Sequence, residues 1–208
     1  MLPSDLTVLF VSYGRAELLD HTLETFFKTN PGCPVSLFDN ASAQPVHDVL
    51  KKYKFDYKIT SDENKGKPFA HNFLAEKCST PYLLFCDSDI EFLPGWFEKM
   101  SDCYQKAETW PIGGLSGYSY GHVFNPHLGV DVNVKRNPPG CALMMSRKVF
   151  IDTGPFDESI LIRTLDTRYF TELRKKGYYN CQLRESAILH TGDKMRTFTD
   201  TGEPIYYD

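Results

Sequence analysis

Tyr82-Leu83-Leu84-Phe85-Cys86-Asp87-Ser88-Asp89-Ile90 is the stretch that decides how the rest of the chain reads. An apolar run from Tyr82 to Cys86 leads straight into two aspartates one residue apart. Such a run has the composition of a strand buried on both faces, as inside a parallel sheet. Its end carries two carboxylates to the carboxyl edge of the sheet, where ligands of open α/β sheets collect. Two anions this close repel unless positive charge lies between them, and an oxygen-preferring divalent cation is the natural candidate. Asp-x-Asp alone also occurs in ordinary surface turns, so the apolar strand before it is what favours a site.

Working outward, Thr7 to Ser12 has the same buried-strand composition, Tyr13-Gly14-Arg15 turns, and Ala16 to Thr29 places Leu18, Leu19, Leu23, Phe26 and Phe27 at helical spacing. Asn30-Pro31-Gly32 stops that helix, and Val35 to Phe38 enters a second strand ending in Asp39-Asn40-Ala41-Ser42. A weaker helix over Val46–Tyr53, a short strand over Tyr57–Thr60 and a helix over Pro68–Lys77 lead back to the central stretch. Strand and helix therefore alternate with short connections through the first half, and Pro94 opens one more helix. A mostly parallel sheet with right-handed crossovers is the expected solution.

The second half breaks this rhythm. Ile112–Tyr118 and Cys141–Met145 read as strands, with an aperiodic excursion rich in Gly, Asn, Pro and His over Ser119–Pro139. Ser146 is placed to cap a short helix to Asp152, and Asp166–Lys176 is a helix stopped by Gly177. Tyr178–Leu189 holds one or two strands that deliver His190 to the edge, and the tail from Asp193 reads as a lid or wrapping segment. A single domain is expected, nucleotide-binding to about residue 110 and acceptor-binding beyond it, alone or as part of a longer protein.

Composition excludes some classes. At 208 residues with a net charge of −4, the chain has no basic excess for nucleic acid or anionic membranes. No apolar run approaches the roughly 20 residues needed to cross a bilayer. Met1-Leu2-Pro3-Ser4-Asp5 has neither a basic region nor an apolar segment, so no signal peptide is expected. The six cysteines are scattered without a Cys-x-x-Cys pair and are expected to be reduced core residues in a cytoplasmic setting. Gly113-Gly114-Leu115-Ser116-Gly117 lacks the order of a dinucleotide fingerprint.

Taken in order, Ser12-Tyr13-Gly14-Arg15, Phe38-Asp39-Asn40-Ala41-Ser42, Asn64-Lys65-Gly66 with Ala70-His71-Asn72, and Asp87-Ser88-Asp89 are followed by Gly140-Cys141-Ala142-Leu143, Gly154-Pro155-Phe156-Asp157-Glu158, Leu165-Asp166, Lys176-Gly177-Tyr178 and His190. This series resembles the GT-A fold glycosyltransferases of the large inverting family 2, over nearly the whole chain. The resemblance implies an α/β GT-A fold, with a Rossmann-like central sheet flanked by helices and a smaller mixed-sheet acceptor-side half. It also implies transfer of a sugar from a nucleoside diphosphate donor, uridine-linked in the first instance, to a hydroxyl of a glycan or glycoprotein, with inversion and with Mn²⁺ or Mg²⁺. By the same resemblance, Asp89 touches the metal, Asp87 lies nearer the ribose or a metal water, and His190 is the third metal contact. Asp39 accepts the uracil N–H, although an Asx turn with Asn40 and Ser42 explains it too. Tyr13 borders the base and Arg15 or Lys67 approaches the phosphates, while Ser12, Asn64, Asn72 and Ser88 complete the donor motifs. Asp166 is the expected base, with Asp157 or Glu158 in reserve; as a helix cap it would need no chemistry.

The chain departs from the family pattern at two places. Leu165-Asp166-Thr167-Arg168 stands where members usually carry Glu-Asp-x-Asp, and His71 stands where Arg is frequent. No Gln-x-x-Arg-Trp motif of the membrane-embedded processive synthases is present. Two other readings share the outline: a sugar-phosphate nucleotidyltransferase, against which the glycine-poor first turn counts, and a carbohydrate-binding domain that has lost the chemistry. Trp96, Trp110, Tyr118, Tyr120, His122 and His127 are candidates for the acceptor region, since sugars stack on aromatic rings.

Overall fold

A computed structural model of the chain describes residues 1–106, 110–119, 131–160 and 165–192. The central sheet has eight strands in the order β3-β2-β1-β4-β8-β6-β9-β7. In chain order these are β1 (Leu6–Ser12), β2 (Val35–Asn40), β3 (Tyr57–Ser61), β4 (Tyr82–Cys86), β6 (Ile112–Ser116), β7 (Val132–Val134), β8 (Ala142–Ser146) and β9 (Tyr179–Leu183). β3, β2, β1 and β4 are mutually parallel, as the strand–helix alternation requires. β8 then runs antiparallel between β4 and β6, and β7 antiparallel to β9. The expected mostly parallel sheet with a mixed second half is present.

Helices cover both faces, and the period of two along β1 decides which residue meets which layer. Leu6, Val8 and Phe10 point into a core with α1 (Ala16–Thr29), α2 (Gln44–Leu50) and α4 (Trp96–Lys106). Leu9 and Val11 point the other way, toward α3 (Lys67–Lys77), α5 (Arg147–Thr153) and α6 (Leu165–Lys175). Ser146 caps α5 as expected, its Oγ accepting from the Val149 N–H at 3.2 Å. All six cysteines are free and five are buried.

Of three short strands, the sequence anticipated only the one that delivers His190 to the edge. β7 lies inside the aperiodic excursion, and β5 (Ile90–Phe92) pairs antiparallel with β10 (Ile188–His190) as a separate ladder. α1 secures that ladder: Thr22 Oγ1 donates to the Ile90 carbonyl at 2.7 Å and accepts from the Ile90 N–H at 3.0 Å. Trp96 is a correction. It is fully buried, edge-on to Phe92 at 5.1 Å and Phe97 at 5.9 Å, and is core rather than a sugar platform. Tyr120, His122, His127 and the tail from Asp193 lie outside the described residues. Among the described residues no helix is long and apolar enough to cross a membrane.

Candidate active site

The strand order reverses between β1 and β4: β2 and β3 lie to one side of β1, and β4 lies to the other. Carboxyl ends diverge at such a point and leave a crevice. Two turns border it. On β1, Gly14 and Arg15 both take left-handed backbone, with φ of 63° and 51°. The second is costly for a residue with a side chain, on the order of 1 kcal/mol. It swings Arg15 across the crevice so that its Nη1 donates to Asp89 Oδ2 at 2.9 Å. On β4, Asp87 and Asp89 leave the strand end as expected.

Neither carboxylate stands alone. Lys67, the first residue of α3, meets Asp87 Oδ1 at 2.5 Å. Asp89 also faces His190 Nε2 at 3.4 Å, because the β5–β10 register sets His190 opposite Ile90. The Asp89 backbone carbonyl accepts from the N–H groups of Thr191 and Gly192. A Cβ at Gly192 would collide with the Asp89 carboxylate, and a Cβ at Gly140 with that of Asp166, so both glycines are cradles for acids. Asp166 sits in the first turn of α6, inside the helix rather than capping it. Its charge reaches both Lys67 and Asp87.

The charge balance is uneven. Burial pushes the Asp87 carboxyl up, Lys67 opposes this, and the charges of Asp89 and Asp166 add to it, leaving a value of about 6. Burial would raise Asp89 as well, but His190, Arg15 and Lys67 overcome it and hold that carboxyl below its ordinary value. Burial alone would lower Lys67; Asp87 and Asp166 outweigh it and keep the ammonium charged far into alkali. Three acids thus share two fixed cations and an imidazole. Among the described residues no three His, Cys, Asp or Glu side chains are already gathered as a metal cluster. Still, the donor chemistry, carboxylate oxygens beside an imidazole with three acids against two fixed cations, fits a divalent ion of the Mn²⁺ or Mg²⁺ kind.

The other expected residues divide into those at the crevice and those that build it. Tyr13 is 56% exposed at the β1 turn, and Ser88 lies between the two aspartates. Asp39 is fully buried; Ser12 Oγ donates to its Oδ1 at 3.1 Å and His47 Nε2 lies 3.1 Å from its Oδ2. An Asx turn with Asn40 and Ser42 is not what occupies it. Asn40 instead binds the Lys65 N–H and Asn64, whose Oδ1 also accepts from the Gly66 N–H. Ser42 Oγ accepts from the Gly14 N–H. Asn64 therefore shapes the turn before Lys67.

Asn72 grips the Phe156 backbone at both N–H and carbonyl, and donates to Glu158 Oε1. Asp157 is held by Ser159 and Arg168, whose hydrogen bonds and charge keep its carboxyl low. These contacts use both reserve acids structurally. His71 is buried between Phe85 and Phe156, in the core and not beside the crevice mouth. Trp110 packs edge-on to Tyr179 at 5.4 Å, and the Tyr118 ring lies 6.2 Å from that of His190. Sequence reasoning missed His47, whose only signal was its place in the helix after Asp39, and it missed the glycine cradles.

Solved structures with this fold are numerous. A mannosyltransferase from Pyrobaculum calidifontis, determined with GDP-Man and Mn²⁺, matches 86% of this chain and 56% of its own at 15% identity and a TM-score of 0.66. GalNAc-T7, determined with UDP, GalNAc and Mn²⁺, matches 89% of this chain and 43% of its own at 14% identity and a TM-score of 0.71. TarS residues 1–349 from S. aureus match 88% of this chain and 59% of their own at 14% identity and a TM-score of 0.64. The chain thus spans about half the length of these proteins, and the likeness is one of fold, which is GT-A. No match is found among curated protein sequences. Arg15, Lys67, both aspartates and the Asn72–Phe156 clamp fall within residues 7–156, the span that matches the model of glycosyl transferase family 2; Asp166 and His190 lie beyond that span, and the chain belongs to that family.

Proposed function

We propose that this chain transfers a sugar from a nucleoside diphosphate donor, uridine-linked in the first instance, to a glycan hydroxyl with inversion at the anomeric carbon. One observation carries this: Asp87, Asp89, His190, Arg15, Lys67 and Asp166 converge at the β1–β4 crevice, although they are far apart in the sequence. Asp89 and His190, with Asp87 beside them, are the residues to hold Mn²⁺ or Mg²⁺. Such an ion, when bound, would supply neutralising charge for a departing diphosphate. Arg15 and Lys67 add fixed positive charge for the same phosphates. Asp166 accepts the proton of the acceptor hydroxyl as its oxygen bonds to the anomeric carbon. The bond to the nucleotide breaks and its electron pair leaves with the diphosphate. The part up to about residue 110 holds the donor and the remainder the acceptor, in a reducing, cytoplasmic setting.

The test is release of nucleoside diphosphate from a panel of sugar nucleotides with Mn²⁺ and glycan acceptors. Asp166→Asn is expected to keep donor binding and to lower transfer by about 10²-fold or more. Full transfer by that variant removes Asp166 from the mechanism. Pyrophosphate release from a nucleoside triphosphate and a sugar phosphate would overturn the transferase reading itself.

A further inference from the structure

We propose that Gly140 is a positioning residue: the backbone at 140–141 sets how far the Asp166 carboxylate stands from the strand end that carries Asp87 and Asp89. The inference rests on the reading of Asp166 as the base and names what keeps that base in register with the donor site.

Glycines in the second half of the chain sort by what a methyl group would meet. At Gly113, Gly114 and Gly117 its neighbours include Leu173, Leu143 and Ile188, apolar side chains of the core. At Gly140 the three nearest atoms all belong to the Asp166 carboxylate. Gly140 does not take the left-handed backbone that would call for glycine on its own account. Its missing side chain therefore makes room for an acid.

Neither wall of this seat is free to retreat. The Asp87 N–H donates to the Cys141 carbonyl at 2.8 Å and the Gly117 N–H to that of Ala142 at 2.9 Å, so the ends of β4 and β6 hold the chain after Gly140 from both sides. On the opposite wall, α6 is anchored by Phe170 and Leu173, both fully buried, and Asn180 Nδ2 donates to the Phe170 carbonyl at 2.9 Å. Close-packed interiors transmit a misfit rather than absorb it. A Cβ at position 140 would thus turn the carboxylate out before it moved the backbone. One short segment is bonded to Asp87 and in contact with Asp166, which makes it the spacer between the ion-binding acids and the base. From this seat the Asp166 charge reaches Lys67 and Asp87.

The experiment is a cycle of four proteins, each the full chain: wild type, Gly140→Ala, Asp166→Ala and the double variant, compared by thermal melts that need no substrate. In the wild type, Gly140→Ala should lower the melting temperature by about 2 °C or more. With Asp166 already replaced the sign should invert, to a rise of about 1–4 °C, because alanine restricts the unfolded chain where the folded backbone accepts it. If Gly140→Ala alone does not fold, a folded double variant supports the inference and an unfolded one overturns it. In a second arm, calorimetric titration with UDP and Mn²⁺ should give Gly140→Ala the wild-type Kd. Its kcat for transfer should fall about 10²-fold with the donor KM unchanged, as for a base displaced by about 1 Å. An equal loss of melting temperature in both backgrounds makes Gly140 an ordinary packing residue and overturns the inference, whatever Asp166 does. Wild-type transfer by Gly140→Ala, beside an inactive Asp166→Asn, overturns it too and leaves the base in place. Inversion of sign beside full transfer by Asp166→Asn upholds the seat and removes the base.

Discussion

His71 shows what burial does to a single side chain. It is 2% exposed, its ring lies 5.3 Å from that of Phe85, and its Nε2 has no partner among the described residues. Burial first, and then the Lys67 charge, lower its pKa from 6.5 to about 3. A base with a depressed folded-state value takes up its proton more readily when unfolded. Stability is therefore intact above the unfolded value and is lost as pH falls from about 6.5 toward 3. By pH 5 this residue alone should cost about 2 kcal/mol. Denaturant titrations of His71→Leu are expected to show a correspondingly shallower acid slope, whatever the change in stability at neutral pH. Sequence could place His71 on α3, because helical spacing is local. It could not say that the helix turns this residue into the core while Lys67, one turn earlier, faces the crevice.

At the level of elements, the long pieces were legible and the shortest ones only in part. α1 and β4 follow from runs of apolar residues whose period survives without tertiary help. The three-residue strands β5, β7 and β10 carry no such period, and only pairing with a distant partner makes them strands. His190 meets Asp89 through that kind of pairing; the strand pattern brought it to the sheet edge, and resemblance alone paired it with the aspartates. The Asn72 clamp is another long-range contact. From the middle of α3 it fixes the Phe156 backbone, and the Phe156 ring packs 4.3 Å from that of Tyr169 on α6. Asn72→Ala would leave a buried N–H and carbonyl unpaired and should cost about 2–4 kcal/mol in chemical denaturation. Faster hydrogen exchange at the Phe156 amide would locate the loss in that clamp. An unchanged amide would mean that the loop is held by other contacts.

For the molecule as a whole, the sheet gathers charge at one edge and leaves it only partly balanced. Asp87 records this in its value of about 6, to which burial contributes most. The sign is opposite to that of His71. An acid with a raised folded-state value is better protonated when folded, so its contribution to stability declines as pH rises from about 4 to about 6. A bound divalent ion should reduce that decline, which thermal melts across this range with and without Mn²⁺ would show. The tethered cations carry a further consequence. A lone ion seeking Asp87 and Asp89 must evict a lysine and an arginine into empty water, whereas one escorted by a diphosphate hands both evicted groups a fresh anion. Uptake of ion and nucleotide should thus be synergistic, each sharpening the other's dissociation constant by the same factor.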